Sequence, residues 1–143
     1  MAKLTAKTEI VINASPMQVW KTLTTPALIK KYLMGTDVVS DFNEGSPIAY
    51  SGEYEGKKYS DKGFIVKAEP GKILQSTYRS SMSGKEDKPE NYKLVTYELN
   101  GDERRTVLAL TQDNISTEKE KEHATQNWEM VLRKLKEVAE SEI

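Results

Sequence analysis

Between Thr117 and Glu142 the apolar residues recur with a helical period. On a wheel of 3.6 residues per turn, Ala124, Trp128, Val131, Leu132, Leu135, Val138 and Ala139 share an arc of roughly 120°. Glu118, Glu122, Gln126, Glu129, Arg133, Lys136, Glu137 and Glu140 lie opposite. The pattern predicts one long amphipathic helix with a single apolar face. About 24 residues span roughly 36 Å, so the stripe needs an equally long partner, and a curved sheet is the surface that fits.

The rest of the chain supplies that sheet. Ala6 to Ala14 alternates, with Ile10 and Ile12 on one side and Glu9, Val11 and Asn13 on the other, and reads as a strand. It stops at a helix start: Ser15 as N-cap, Pro16 as first helical residue and Gln18 to complete a capping box. Val19, Trp20 and Leu23 supply the buried face. Thr25 and Pro26 repeat the signal, so a second short helix runs to about Met34 and ends at Gly35. From Val38 onward, Glu44-Gly45, Glu55-Gly56, Pro70-Gly71 and Asn100-Gly101 punctuate runs rich in Ile, Val, Thr and Tyr. Six strands are expected there, at about Val38 to Phe42, Ile48 to Tyr54, Lys58 to Glu69, Ile73 to Ser80, Tyr92 to Leu99 and Arg105 to Gln112. Short connections make them antiparallel neighbours. Phe64, Val66 and Ala68 alternate with Ile65 and Lys67, and Val95, Tyr97 and Leu99 with Thr96 and Glu98, so one face is buried and one meets water. Ser80 to Glu90, with Met82, is longer than a hairpin needs, as a lid or a solvated loop would be. Asp113-Asn114 ends the sheet, and Thr117 with Glu120 forms the capping box of the long helix.

Composition narrows the chemistry. The 143 residues suit a single domain with a core of its own. The absence of cysteine excludes disulfides, thiolate zinc sites and cysteine nucleophiles, and one histidine cannot build a histidine-rich metal site. Lys and Arg number 21 against 22 Asp and Glu, interleaved instead of striped, which argues against nucleic acid. No signal peptide and no run of about 20 apolar residues is visible, so a cytoplasmic protein without a membrane span is the expectation.

Several stretches, taken in order, resemble one family. They are Ser15-Pro16 with Val19-Trp20 and Leu23-Thr24; Ser60-Asp61-Lys62-Gly63; Pro89-Glu90-Asn91-Tyr92; Val95 to Leu99; Leu110 to Asn114; and His123 with Asn127-Trp128, Val131-Leu132 and Leu135-Lys136. The chain is identified by them as a member of the START-like (SRPBCC) superfamily, in the branch of activator of heat-shock-protein-90 ATPase homologues. It departs from the family pattern at Tyr32-Leu33, where a tryptophan is common, and at Asn127, where a glycine is frequent. The resemblance implies an α+β helix-grip fold: about seven antiparallel strands wrapped around the C-terminal helix, with an elongated, partly apolar cavity beneath it. Relatives bind lipids, sterols, plant hormones or polyketides, some are cyclases, and the eukaryotic namesakes contact a chaperone through a related domain joined to a second one for which this chain has no room.

Against that background the expected function is binding of a small hydrophobic or aromatic ligand between helix and sheet. The expected lining residues are Tyr32, Tyr50, Tyr78, Tyr97, His123, Asn127, Trp128 and Val131, an apolar wall with a few polar groups. Trp20 and Trp128 also read as core aromatics, and His123 and Asn127 as ordinary surface residues of the helix flank. Asp61, Glu98 and Asp113 each need a partner carboxylate to act as acid, base or metal ligand, and Asp61 reads more simply as a local hydrogen-bond anchor. No serine has a legible histidine and acid beside it, so a hydrolase triad is not expected. No cofactor and no metal are implied. The alternatives are a co-chaperone-like module stimulating a chaperone ATPase and, behind it, a cyclase- or hydrolase-type enzyme. The helix from His123 to Val131 is where helix and sheet should part.

Overall fold

The computed structural model describes residues 4–33, 35–79 and 91–141. Ser80 to Glu90, with its Met82, and Met34 lie outside the described residues. The elements follow the expected order: β1 (Leu4–Ile12), α1 (Pro16–Thr24), α2 (Pro26–Tyr32), β2 (Asp37–Val39), β3 (Pro47–Tyr54), β4 (Lys57–Glu69), β5 (Ile73–Tyr78), β6 (Lys93–Gly101), β7 (Thr106–Ile115) and α3 (Glu118–Ser141). The strands form one antiparallel sheet in the order β1-β7-β6-β5-β4-β3-β2. Hairpins connect β3 through β7 in sequence, while the two short helices carry the chain from one edge, β1, to the other, β2. This is an α+β helix-grip fold.

The caps fall where the sequence signals them. Ser15 Oγ accepts the Gln18 N–H at 3.2 Å, with Pro16 leading the helix. Thr117 Oγ1 accepts the Glu120 N–H at 3.1 Å, but the Glu120 carboxylate turns away to Lys93 Nζ at 2.8 Å. Thr25 caps α2 only through its carbonyl, which accepts from Leu28 and Ile29. Gly35, at φ 83°, turns the chain out of α2 and donates its N–H to the Lys30 carbonyl.

Three strand boundaries differ from expectation for local reasons. β2 stops at Val39 because Phe42 sits at φ 59°, a left-handed conformation that no strand continues through. β1 starts at Leu4, where it pairs with Ile115, and β7 correspondingly runs past Asp113-Asn114. The end of β7 is held by Asn114, whose Nδ2 donates to the Tyr92 carbonyl while its own carbonyl accepts from Lys93 Nζ. In β4 the buried side belongs to Ile65, while Phe64 and Val66 face outward at 52% and 48% exposure. A register shift between Ile65 and Lys67 then turns Ala68 toward the core. A bulge adds one residue to one strand, so every later side chain changes face.

The core gathers Ile12, Leu23, Ile65, Leu108, Leu110, Leu132 and Leu135, each at most 2% exposed. α3 lies along β1 and against α2, touching β7 lightly. Its C-terminal half buries Val131, Leu132, Leu135 and Ala139. There Glu140 accepts hydrogen bonds from Lys136 and from the Asn13 N–H, tying the helix end to the turn after β1. No helix among the described residues is long and apolar enough to cross a membrane.

Candidate functional site

The inward rows of the sheet change character along their length. In β4 the row runs Ile65, Gly63, Asp61, Tyr59; in β5 Leu74, Ser76, Tyr78; in β7 Leu108, Leu110, Gln112. Aliphatic side chains fill the end under the C-terminal half of α3. Beyond them the inward positions turn polar or aromatic, and the helix no longer presses on the sheet. The result is a cavity of about 940 Å³ between the N-terminal half of α3 and strands β3 to β7.

Aromatic pairs form its walls. Tyr50 on β3 meets Tyr78 on β5 edge-on, with ring centroids 5.6 Å apart at 77°. Trp128 on α3 meets Tyr97 on β6 at 6.3 Å and 88°. Edge-to-face contacts of this kind hold ring orientations as well as adding contact energy. Gly63 lets β4 and β5 come close at this level, since a Cβ there would overlap the Thr77 carbonyl oxygen.

Several polar groups along the wall are engaged with one another. Tyr78 Oη donates to Asp61 Oδ2 at 2.6 Å, and Asp61 is only 6% exposed. Tyr50 is the cross-strand partner of Asp61, and its hydroxyl lies near Ser76. Burial pushes the Tyr50 hydroxyl up to about 12, against a downward pull from Ser76 and with a lesser upward push from the Asp61 charge. Burial, then the neighbouring Tyr50, raises Tyr97 further. Trp128 Nε1 donates to Gln112 Oε1 at 2.6 Å. At another corner Thr36 Oγ1 donates to the Leu33 carbonyl, so in its 2.6 Å contact with Tyr59 the phenol is the donor.

Seven of the eight residues singled out from the sequence line this one cavity: Tyr50, Tyr78, Tyr97, Trp128 and Val131 in its walls, His123 and Asn127 on the exposed flank of α3 at its rim. Tyr32 does not. Its ring is 2% exposed and packed into the core at the end of α2, where burial and the proximity of Tyr97 and Tyr50 hold its hydroxyl well above the usual range. The short helix presents Leu28, Ile29 and Tyr32 inward together, leaving Leu33 to reach the cavity.

Sequence reasoning missed Ser76 and Gln112 and undervalued Asp61. The signal was present: each is a polar residue at an inward position of an otherwise apolar row. Asp61 does anchor locally, through Tyr78, yet the same carboxylate faces the cavity. No cluster of three or more His, Asp or Glu side chains suited to a metal occurs among the described residues. The arrangement can enclose an apolar, ring-bearing molecule and meet it with a small set of hydrogen-bonding groups.

Comparison with known proteins agrees with this geometry. Residues 13–140 match the family model described as Activator of Hsp90 ATPase homolog 1-like protein. The protein ChR145 from Cytophaga hutchinsonii, known in solution, is 44% identical, with 99% of this chain and 97% of that one covered and a TM-score of 0.85. The Aha1 dimer from Colwellia psychrerythraea is 22% identical over 95% of this chain and 96% of its own, with a TM-score of 0.73. Ara h 8.0201 is 9% identical over 98% and 99%, with a TM-score of 0.78. At those identities the last two share the fold alone. No curated protein matches the chain.

Proposed function

This chain belongs to the activator of Hsp90 ATPase homolog 1-like family, and on that premise we propose that it binds a small hydrophobic or aromatic molecule between α3 and the sheet. The observation that carries the reading is the cavity itself. Its volume of about 940 Å³ sits near the top of the range typical of small-molecule sites, roughly 300–1,000 Å³. A core that merely packed imperfectly would not leave such a space, because interiors approach crystal density. The wall supports the reading as well: Leu33, Val95, Val131 and five aromatic rings line it, with polar side chains among them. Native mass spectrometry of gently purified protein, followed by titration with lipids and aromatic polyketides, tests it. A stoichiometric adduct, or saturable binding of at least one class, is expected; bare protein with no binding across the panel overturns the reading.

A second reading, a co-chaperone-like module acting on a chaperone ATPase, draws on the family description and on the outward Phe64 and Val66 of β4. It requires that the protein change the turnover of a purified heat-shock-protein-90 ATPase. Unchanged turnover at saturating concentration rejects it.

A further inference from the structure

The sheet has two edges, and they are finished differently. At one, β2 is three residues long, Asp37–Val39, with α2 packed against it. At the other, β1 runs nine residues, Leu4–Ile12, and its only neighbour in the sheet is β7. Beyond that ladder, the one hydrogen bond from β1 to another described residue is Thr5 Oγ1 to Asp113 Oδ1 at 2.7 Å, and it too returns to β7. Alternate backbone N–H and C=O groups of β1 therefore face outward without a partner among the described residues. Short strands, prolines and bulges normally blunt such an edge; β1 is long, has no proline, and shifts register only at its start, between Leu4 and Ala6.

The outward row of β1 is Thr5, Lys7, Glu9 and Val11, all exposed. Neither Lys7 nor Glu9 has an ion-pair or hydrogen-bond partner among the described residues. Directly opposite residues of an antiparallel pair point to the same face, so this row meets the same row of a second copy. Centred on Thr8, two copies of β1 overlap along the whole strand, with Lys7 opposite Glu9 at two symmetric places and Val11 opposite Thr5. Sliding one copy by two residues either way sets Lys7 against Lys7 or Glu9 against Glu9. The charges select the register that gives the fullest overlap. Val107 of β7 pairs with Val11 and adds a second exposed apolar side chain to that face, 37% exposed beside 44%.

We propose that β1 is the contact between two copies of this chain: an isologous, antiparallel pairing of β1 with β1, centred on Thr8, that joins two sheets into one. No residue of β1 lines the cavity, so pairing and ligand binding are separable.

Sedimentation equilibrium of the full chain from about 10 µM to about 1 mM, in about 50 mM salt to limit screening, tests this. Wild type is expected to be a concentration-dependent dimer. Lys7→Glu and Glu9→Lys, each alone, set like charges opposite and are expected to raise the dimer dissociation constant about tenfold or more. An equimolar mixture of the two variants, and the double variant, restore opposite charges and are expected to return it to within about threefold of wild type. Both positions are exposed, so the fold is expected to survive, which circular dichroism checks. Wild-type amide shifts along Leu4 to Ile12 that change with concentration give a reading independent of the variants. A wild-type monomer throughout, which would leave the edge to an extended peptide or to solvent, overturns the proposal. So does a dimer indifferent to both single reversals, one not restored by mixing, or one whose concentration-dependent shifts fall elsewhere.

Discussion

The indole of Trp128 on α3 spans the cavity's wall to two strands at once: it stands edge-on to Tyr97 of β6 and donates its Nε1 hydrogen to Gln112 of β7 at 2.6 Å. The contact fixes the helix over the sheet on the side where packing is thinnest. Trp128→Phe removes the donor and strands the Gln112 carbonyl, at an expected cost of about 1 kcal/mol. Adding Gln112→Leu should recover most of that loss, since removing both partners leaves no orphaned polar group. Urea denaturation of the two singles and the double measures it. Strict additivity of the singles would mean that the bond contributes nothing.

The two halves of α3 should respond oppositely to volume changes. Leu135 is fully buried in the core, and Leu135→Ala is expected to cost about 2–5 kcal/mol. Val131 lies at the boundary, buried yet lining the cavity, so Val131→Trp should be accommodated within about 1.5 kcal/mol because there is room to fill. The same change should weaken ligand binding at least about tenfold by occupying the site. Thermal unfolding and probe titration read both effects; severe unfolding of Val131→Trp would show that helix and sheet do not part at that point.

Much of this architecture was legible in the sequence, and its gaps have physical causes. The caps at Ser15 and Thr117 and the 3.6-residue stripe of α3 are local signals, so they transfer directly to structure. The face of Phe64 and Val66 was not legible, because a one-residue bulge reverses the phase of a strand and leaves no mark in its alternation. The cavity's polar members were hidden for a related reason. Asp61, Ser76 and Gln112 become neighbours only once strand register is set, whereas the tyrosines and the α3 residues declare themselves by type and period. Tyr32 sits in the core and not in the cavity wall because a two-turn helix buries its whole inner face.

Gly63 and Gly52 offer a paired test of that register. At Gly63 a methyl group would overlap the Thr77 backbone oxygen, so Gly63→Ala must push β4 and β5 apart, costing about 2–4 kcal/mol. At Gly52 the obstacle is the Tyr59 hydroxyl, 2.5 Å from the added carbon, the mobile tip of a side chain. Gly52→Ala should therefore cost about 1 kcal/mol or less, by displacing Tyr59 from Thr36. Denaturant midpoints for both variants decide it, and a reversed order would contradict the strand spacing.

Alkaline titration probes the buried phenols. The Tyr50 hydroxyl is raised from its ordinary value of 10.0 to about 12, and Tyr97 and Tyr32 are raised as well, chiefly by burial. A raised value means that the folded state holds its proton more tightly than the unfolded one. The resulting stabilisation is complete below pH 10 and is lost as the pH climbs toward 12 and beyond. Phenolate absorbance near 295 nm should show a late group of tyrosines ionising together with loss of the folded circular-dichroism signal. Ionisation of all the tyrosines near pH 10 with the fold intact would contradict this.

The central claim is that a ligand enters the gap between the N-terminal half of α3 and the sheet. Amide chemical-shift mapping of the isotopically labelled protein with 1-hydroxypyrene tests it most directly. The expected result is saturable shifts concentrated at Ser76, Tyr97, Gln112 and from His123 to Val131, with the outer face of β4 at Phe64 and Val66 unmoved. Shifts confined to that outer face, or none at all, would contradict the account.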